Sequence, residues 1–248
     1  HGRRDEYDEV IIEATGIADP RGLAEPFIIH PAIKKQFPLK GIICLVDAEL
    51  IEDQIEETKE AIHQVTFSDV LLINKIDLVD KEYLSQLSKK LERMNPLAKI
   101  VSGHQGDFPS VEAIRHTDNL DHTCKSSHQN EKTNNFPVQK PNHHHHHEHT
   151  QVVSITINFK KPFNYQTLRH VLTVYLTLQA KDLYRMKGLL WLKDMEEQYL
   201  LQAVGKRHSI DIKRPWKATE QKESTIVFIG KDIKREGLER MLAQCLVQ

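Results

Sequence analysis

The chain has 248 residues, 39% of them hydrophobic, which is enough for one large or two small globular domains. Its 34 basic and 35 acidic residues nearly cancel, which disfavours nucleic-acid and membrane partners and favours small-molecule ligands. No apolar run approaches the roughly 20 residues needed to span a bilayer, and residues 1–6 do not form a signal peptide, so we expect a cytoplasmic protein. Three cysteines are too widely spaced for a motif, and we interpret Cys44 and Cys245 as buried small hydrophobes.

Strand and helix patterns alternate in the first half of the chain. Strands are predicted at residues 9–13, 41–47, 69–73 and 99–102, and helices at residues 21–30, 51–65 and 81–94. Strands separated by helices indicate right-handed crossovers and a mostly parallel sheet. Residues 1–116 are therefore predicted to form the carboxyl-terminal portion of an α/β nucleotide-binding domain.

The composition changes after residue 116. Residues 117–150 contain almost no apolar side chains and are predicted to be a flexible linker. Beyond it, strands are predicted at residues 152–157, 183–192, 198–203, 208–213 and 224–230, and helices at residues 165–180 and 234–246. This pattern predicts a small α+β domain over residues 151–248, with a mainly antiparallel sheet.

A polar segment, Asn74-Lys75-Ile76-Asp77, follows the apolar strand at residues 69–73, and open α/β sheets bind ligands at such strand ends. The Asp77 carboxylate has only acceptors, so it suits the N1–H and exocyclic N–H of guanine and rejects adenine. The stem of Lys75 can lie along the base plane, and Asn74 can tie the loop to a phosphate-binding turn. Ser102, which ends the next strand, is predicted to approach the guanine carbonyl. A strand exit without any ligand is the alternative.

Glu13 ends the predicted strand at residues 9–13, and Gly16 lies in the turn that leaves it. A carboxylate there can hold Mg²⁺ through water or orient an attacking water, and the Gly16 N–H can bind a γ-phosphate. An ordinary solvent-facing glutamate fits position 13 equally well. If the functional interpretation holds, we expect both strand-end clusters to converge on one edge of the sheet.

The second domain offers further candidates for contact. Arg185, Lys187 and Trp191 form either a basic and aromatic contact surface for a target or nucleic acid, or a solvated strand face. Trp216 is interpreted as an anchor in the core.

A run of histidines within residues 117–150 is the second chemical signal. Neutral imidazoles bind Zn²⁺, Ni²⁺ and Cu²⁺, so the run is predicted to be a labile metal-binding site that Cys124 can join. A purification tag and a neutral spacer are the alternatives. The predicted ligands are His143, His144, His145, His146, His147 and His149.

Several of these motifs resemble the CobW and YjiA-like family of P-loop GTPases. In the first half the resemblance rests on residues 13–20 (EATGIADP), residues 45–48 (LVDA) and residues 74–77 (NKID). In the second half it rests on residues 185–188 (RMKG), 202–205 (QAVG) and 229–230 (IG), which are similar to the CobW carboxyl-terminal domain.

The resemblance implies a protein that binds GTP with Mg²⁺, hydrolyses it slowly and delivers zinc, cobalt or another metal to target proteins, with homo-oligomers possible. A non-enzymatic module that buffers metal or binds a partner, and that keeps a guanine-contacting remnant, is the alternative. The family's G-x-x-G-x-G-K-[ST] loop and C-x-C-C motif do not occur in these residues. Residues 1–8 resemble the segment before the family's second conserved block, so we expect an amino-terminally truncated sequence with little GTPase activity of its own.

Overall fold

The computed structural model describes residues 7–16, 18–115, 152–179 and 181–247. The first unit contains helices α1 (Pro20–Ile29), α2 (Pro31–Gln36), α3 (Ile51–Glu57), α4 (Lys59–Phe67), α5 (Lys81–Met94) and α6 (Val111–Arg115), with strands β1 (Ile43–Asp47), β2 (Val70–Asn74) and β3 (Lys99–Ser102). The three strands form a parallel sheet in the order β1-β2-β3. The predicted parallel α/β architecture is confirmed, and β2 is its central described strand.

The second unit is an antiparallel sheet covered by two helices. Its elements are β4 (Val152–Phe159), α7 (Tyr165–Gln179), β5 (Leu183–Leu190), β6 (Glu197–Val204), β7 (Arg207–Pro215), β8 (Ser224–Lys231) and α8 (Arg235–Ala243). The strand order is β4-β8-β5-β6-β7. Buried leucines at helical spacing, Leu168, Leu172 and Leu176 of α7, pack into a core with Met186 and Phe228 of the sheet. The predicted α+β domain is confirmed.

Residues 51–65 were predicted to form one helix, and this prediction is wrong. The chain leaves helical geometry at Thr58, where φ is −130° and ψ is 138°, and α4 starts afresh. The Thr58 hydroxyl accepts a hydrogen bond from the Ala61 N–H at 3.3 Å, which satisfies one of the donors that a helix start leaves open. Helix α2 was not predicted. It begins with Pro31, whose missing N–H costs nothing at a first helical position.

The strand predicted at residues 9–13 is also absent from the structure. Val10, Ile11 and Ile12 are 60%, 75% and 57% exposed, and their segment pairs with no described strand. Apolar side chains alone do not make a strand, because the backbone N–H and C=O groups need a partner ladder. Within the described residues β1 pairs only with β2, and Leu45 on β1 is 64% exposed.

The face of the second sheet that points away from α7 packs on the first unit. Tyr184 joins the core around β2, and Val204 joins a cluster with α1. A third cluster combines Leu97 with residues of β5 and β8: Leu189, Val227 and Ile229. The described units are therefore joined by apolar packing at three places.

A buried arginine crosses this interface. Arg185 is 5% exposed, and its Nη1 donates to the carbonyl of Ser68 at 2.6 Å while its Nη2 donates to Oδ1 of Asp69. The guanidinium carbon lies 5.5 Å from the ring centroid of Phe67. The Ser68 carbonyl also accepts a 2.8 Å hydrogen bond from the buried side chain of Asn95. The segment entering β2 is therefore held from both units.

Two further contacts restrain Asp69. Lys187 Nζ lies 3.3 Å from its Oδ1, and the backbone N–H of Ile42 donates to its Oδ2 at 3.0 Å. Burial by itself raises the pKa of Asp69, but Lys187 and Arg185 hold the pKa well below its ordinary range. Arg185 and Lys187 are thus engaged within the chain, so neither alternative considered for them, an external contact surface or a solvated strand face, is found. An alternating strand pattern shows which residues share one face of a strand, but it does not show whether water or a second unit contacts that face.

The remaining single-residue predictions have mixed outcomes. Cys245 is fully buried as predicted, whereas Cys44 is only partly buried. Burial raises the pKa of both thiols to about 11. Trp216, predicted to anchor the core, is only partly buried and lies outside the described core clusters. No helix of the described ranges is long and apolar enough to cross a membrane.

We predict that Arg185→Met lowers the free energy of unfolding of this chain by about 3 kcal/mol, because removing the buried arginine leaves the partly buried Asp69 carboxylate undercompensated. Urea unfolding followed by circular dichroism measures the change. Arg235→Met is the matched control: it breaks the exposed Arg235–Glu239 pair and should cost less than about 0.5 kcal/mol. Equal effects of the two substitutions would refute the structural role of Arg185.

Candidate functional site

The carboxyl ends of the three parallel strands bring several polar residues to one edge of the sheet. The register places Asp47 opposite Asn74 and Ile73 opposite Ser102. The N–H of Gly103 donates to the Ile73 carbonyl at 2.9 Å, so the chain leaves β3 directly beside β2. Asn74 and Ser102, both predicted from sequence, therefore lie at neighbouring strand ends.

The turn after β2 is fixed by an ion pair that the sequence did not indicate. Lys75 has a left-handed backbone with φ of 59°, which is uncommon for a residue with a Cβ. Its Nζ lies 2.7 Å from Oδ2 of Asp47 on the neighbouring strand. Burial by itself raises the pKa of Asp47, but the hydrogen bonds from Lys75 and from the Glu49 N–H lower it. The pair holds the Lys75 stem along the sheet edge.

Asn74 carries an unsatisfied acceptor. Its Oδ1 is buried and has no hydrogen-bond partner among the described residues, although its backbone carbonyl accepts from the Ala48 N–H at 3.1 Å. A buried polar atom without a partner costs roughly 1–3 kcal/mol. This amide is therefore suited to receive a donor from a ligand or a neighbouring loop.

Asp77 lies just beyond this amide, in the 3₁₀ turn Ile76–Leu78, and is exposed. Ser102 is exposed as well. Both side chains are accessible at the edge where the sequence predicted a nucleotide base.

The loop after Ser102 is tight because of one glycine. A Cβ on Gly103 would lie 2.5 Å from the carbonyl oxygen of Asp107. Only glycine permits this approach without displacing backbone, so the 103–107 loop folds back close to the end of β3.

Glu13 and Gly16 lie elsewhere. The carbonyl of Gly16 accepts a 2.9 Å hydrogen bond from Gln64, near the end of α4 that leads into the start of β2. Asn74 is at the opposite end of that strand, and Glu13 is exposed. The described structure therefore does not bring the two predicted clusters to one edge, because the segment expected to carry Glu13 there does not join the sheet.

A polar network that the sequence analysis missed holds the segment after Gly16. The Asp19 carboxylate caps α1 by accepting a hydrogen bond from the Arg21 backbone N–H at 3.0 Å. The Nη2 group of Arg21 donates a second hydrogen bond to Oδ2 of Asp19 at 2.6 Å. The same Nη2 donates to Nδ1 of His63 at 2.9 Å, and the His63 ring meets the Tyr184 ring edge-on at 5.1 Å. Burial and the Arg21 charge lower the pKa of His63. The Asp-Pro helix-start signal was the only clue to it in the sequence.

The predicted metal ligands cannot be compared with the structure. His143, His144, His145, His146, His147 and His149 lie outside the described residues, as does Cys124. Within residues 7–16, 18–115, 152–179 and 181–247, no three His, Cys, Asp or Glu side chains are grouped to hold a metal. Glu13 belongs to no such group in these ranges.

Two family models match the chain. Residues 2–102 match the CobW/HypB/UreG nucleotide-binding domain, and residues 152–246 match the cobalamin synthesis protein cobW C-terminal domain. The matches coincide with the two described units and leave out the histidine-rich segment.

Curated relatives carry zinc-related names. The zinc chaperone YjiA of Escherichia coli is 28% identical over 96% of this chain and 71% of its own length. The zinc chaperone CobW of Pseudomonas aeruginosa is 23% identical over 98% of this chain and 68% of its own length. The zinc-regulated GTPase metalloprotein activator 1 of Schizosaccharomyces pombe is 30% identical over 55% of this chain and 32% of its own length.

A solved structure resembles the whole chain. The Zn(II)-bound YjiA GTPase from E. coli superimposes with a TM-score of 0.71 and 26% identity, covering 99% of this chain and 74% of the other. The family models and this structural likeness agree with a nucleotide-binding unit followed by an attached carboxyl-terminal domain. The chain belongs to the CobW and YjiA-like family of P-loop GTPases.

Proposed function

We propose that this chain is part of a GTP-binding, GTP-hydrolysing metallochaperone that delivers zinc to target proteins. The observation that carries the proposal is the turn after β2, where Asn74 has a buried free acceptor, Lys75 is fixed by Asp47, and Asp77 is exposed just beyond. The names of the relatives, zinc chaperone and zinc-regulated GTPase metalloprotein activator, support the metal and the nucleotide.

Each residue of this turn has a distinct role in the proposal. Asp77 accepts hydrogen bonds from the guanine N1–H and exocyclic N–H, so that the base is read by a carboxylate. The methylene stem of Lys75 lies along one face of the base while its ammonium remains paired with Asp47. Asn74 links the turn to the adjoining loop through its unpaired amide oxygen, and Ser102 approaches the base carbonyl from β3.

We propose phosphate binding and GTP hydrolysis for this protein because it belongs to the family. We assign no step of the hydrolysis to the described residues. Glu13 remains a candidate to position water or Mg²⁺, and Gly16 to donate its N–H to a γ-phosphate. Their present surroundings do not form such a site, since Gln64 holds the Gly16 carbonyl at the other end of β2. The G-x-x-G-x-G-K-[ST] loop that supplies phosphate-binding N–H groups in the family is not found within these 248 residues.

The metal is treated as cargo in this proposal. The histidine run supplies several neutral imidazoles in sequence, which suits a labile site that accepts and releases Zn²⁺. Co²⁺ and Ni²⁺ also fit imidazole ligands, and a metal-receiving protein is the proposed partner.

We predict that Asp77→Asn in the full-length protein weakens GTP binding at least tenfold and improves XTP binding. The new amide N–H opposes the exocyclic amine of guanine, whereas xanthine presents at that position an oxygen that accepts from it. Titrations with GTP, XTP and ATP measure this, and Asp80→Asn, an exposed helix cap three residues away, is the control. Equal affinity of the unaltered protein for GTP and ATP would contradict the guanine assignment.

For the complete function, we predict that GTP changes the rate at which zinc-loaded full-length protein transfers Zn²⁺ to a chromogenic chelator. In Asp77→Asn the same change should require XTP in place of GTP. If neither nucleotide changes the rate of Zn²⁺ transfer while the protein still binds zinc, the result would favour the non-enzymatic metal-buffering alternative.

A separate prediction concerns the histidine run. Deleting residues 142–150 should abolish labile Zn²⁺ binding and leave metal-free thermal unfolding unchanged, because the segment contains no apolar side chain for a core. In the intact chain, affinity should fall more than tenfold per pH unit below about pH 6.5, since several imidazoles lose a proton for each metal bound. Calorimetric titration at about pH 7.5 and 5.5 tests this. Unchanged stoichiometry after deletion would place the metal elsewhere.

A further inference from the structure

Strand β7 is the last strand of the second sheet, and it lies at the bottom of a groove. Within the described residues it pairs only with β6, so its other edge has no strand partner. Odd-numbered residues of β7 face the first unit: Arg207 pairs with Glu25 of α1 at 3.0 Å, and Asp211 pairs with Lys34 of α2. Even-numbered residues such as Ile210 face the core beneath α7. The edge is therefore flanked by a helix on each side.

A cavity of about 320 Å³ lies along this edge, between Ile29 at the end of α1 and the α7 residues Tyr165, Arg169 and Thr173. Its volume is at the lower end of the range of about 300–1,000 Å³ typical of ligand sites. An edge strand turns the N–H and C=O of every second residue outward, so this groove offers backbone hydrogen-bonding groups as well as side chains.

The groove is basic. Arg169, Lys206, Arg207 and His208 line it, and Glu25 is the acid paired with one of them, Arg207. In the part of the chain that the structure describes, Arg169 and Lys206 form no ion pair. Burial, followed by the Arg169 charge, lowers the pKa of His208, which favours its neutral form. Two cations thus remain uncompensated beside an open strand edge.

We propose that this groove binds an extended acidic peptide of a partner protein, which adds as a strand to the edge of β7. Its carboxylates pair with Arg169 and Lys206, and its alternate apolar side chains pack against Ile29 on the opposite wall. Side chains of a strand alternate between two faces, so carboxylates on one face of the peptide can reach Arg169 of α7 while apolar side chains on the other face meet Ile29 of α1. This binding needs neither GTP nor metal and so goes beyond the proposed metallochaperone activity.

A peptide fits this groove better than a nucleic acid. Tyr165 is the single aromatic side chain among the residues that line it, so successive bases would have no series of rings on which to stack. The outward C=O groups of an edge strand accept from the N–H groups of another peptide backbone, whereas a phosphodiester chain has no donor for them.

The test uses an array of fluorescein-labelled ten-residue peptides in which glutamate alternates with Val, Ile, Leu or Tyr. Fluorescence anisotropy with this chain, without GTP or zinc, should show binding by several members, and replacing glutamate with lysine should abolish it. Arg169→Glu/Lys206→Glu should weaken binding at least tenfold. The matched control Lys222→Glu/Arg240→Glu, with the same charge change at exposed positions outside the groove, should change affinity less than twofold.

Backbone methylation distinguishes strand addition from charge attraction alone. Two versions of the best peptide carry N-methyl groups on the odd or on the even residues, and only one edge of an added strand can face β7. One version should lose binding and the other should keep it. The proposal is overturned if both versions bind equally, if no peptide of the array binds, if both double variants behave alike, or if a ten-nucleotide oligothymidylate displaces the peptide at equal concentration.

Discussion

The structure depends on one carboxylate at the entrance of the central strand. Asp69 forms ion pairs with Arg185 and Lys187, two cations of β5 that lie more than a hundred residues later in the chain. It also accepts a hydrogen bond from the Ile42 N–H. A charge in such surroundings is tolerated only when opposite charges and hydrogen bonds replace its lost water. Its lowered pKa has the same origin. The two units therefore share a buried polar contact at Asp69 that apolar clusters surround.

Strand β2 connects this contact to the candidate site. The interface is at its start, and the Asn74-Lys75-Ile76-Asp77 turn is at its end. At about 3.3 Å per residue, five residues separate them by roughly 15 Å. The strand is buried and paired on both sides, so it is a rigid connection between the second unit and the turn that we assign to the base.

The sequence identified this turn because its signal is local: a polar motif directly after an apolar run. Asp47, which fixes Lys75, is 28 positions earlier, and only the strand register reveals the pair. The same limit explains Arg185 and Lys187, whose partner belongs to another unit. Residues 9–13 do not form the predicted strand for a related reason, because the hydrophobicity of Val10 to Ile12 does not supply a neighbouring ladder. Local sequence patterns predicted the architecture of both units. The contacts of each charged residue, in contrast, depend on pairing with residues that are distant in the sequence.

The outer edge of β1 has a consequence for how this polypeptide behaves in concentrated solution. Ile43 and Leu45 are exposed on a strand that, in the described ranges, has a partner on one side only, and the apolar residues Val10 to Ile12 are exposed as well. Open apolar edges recruit strands from other molecules and lead to association that grows with protein concentration. A chain of these 248 residues should consequently be most soluble when dilute, or when another polypeptide strand covers β1.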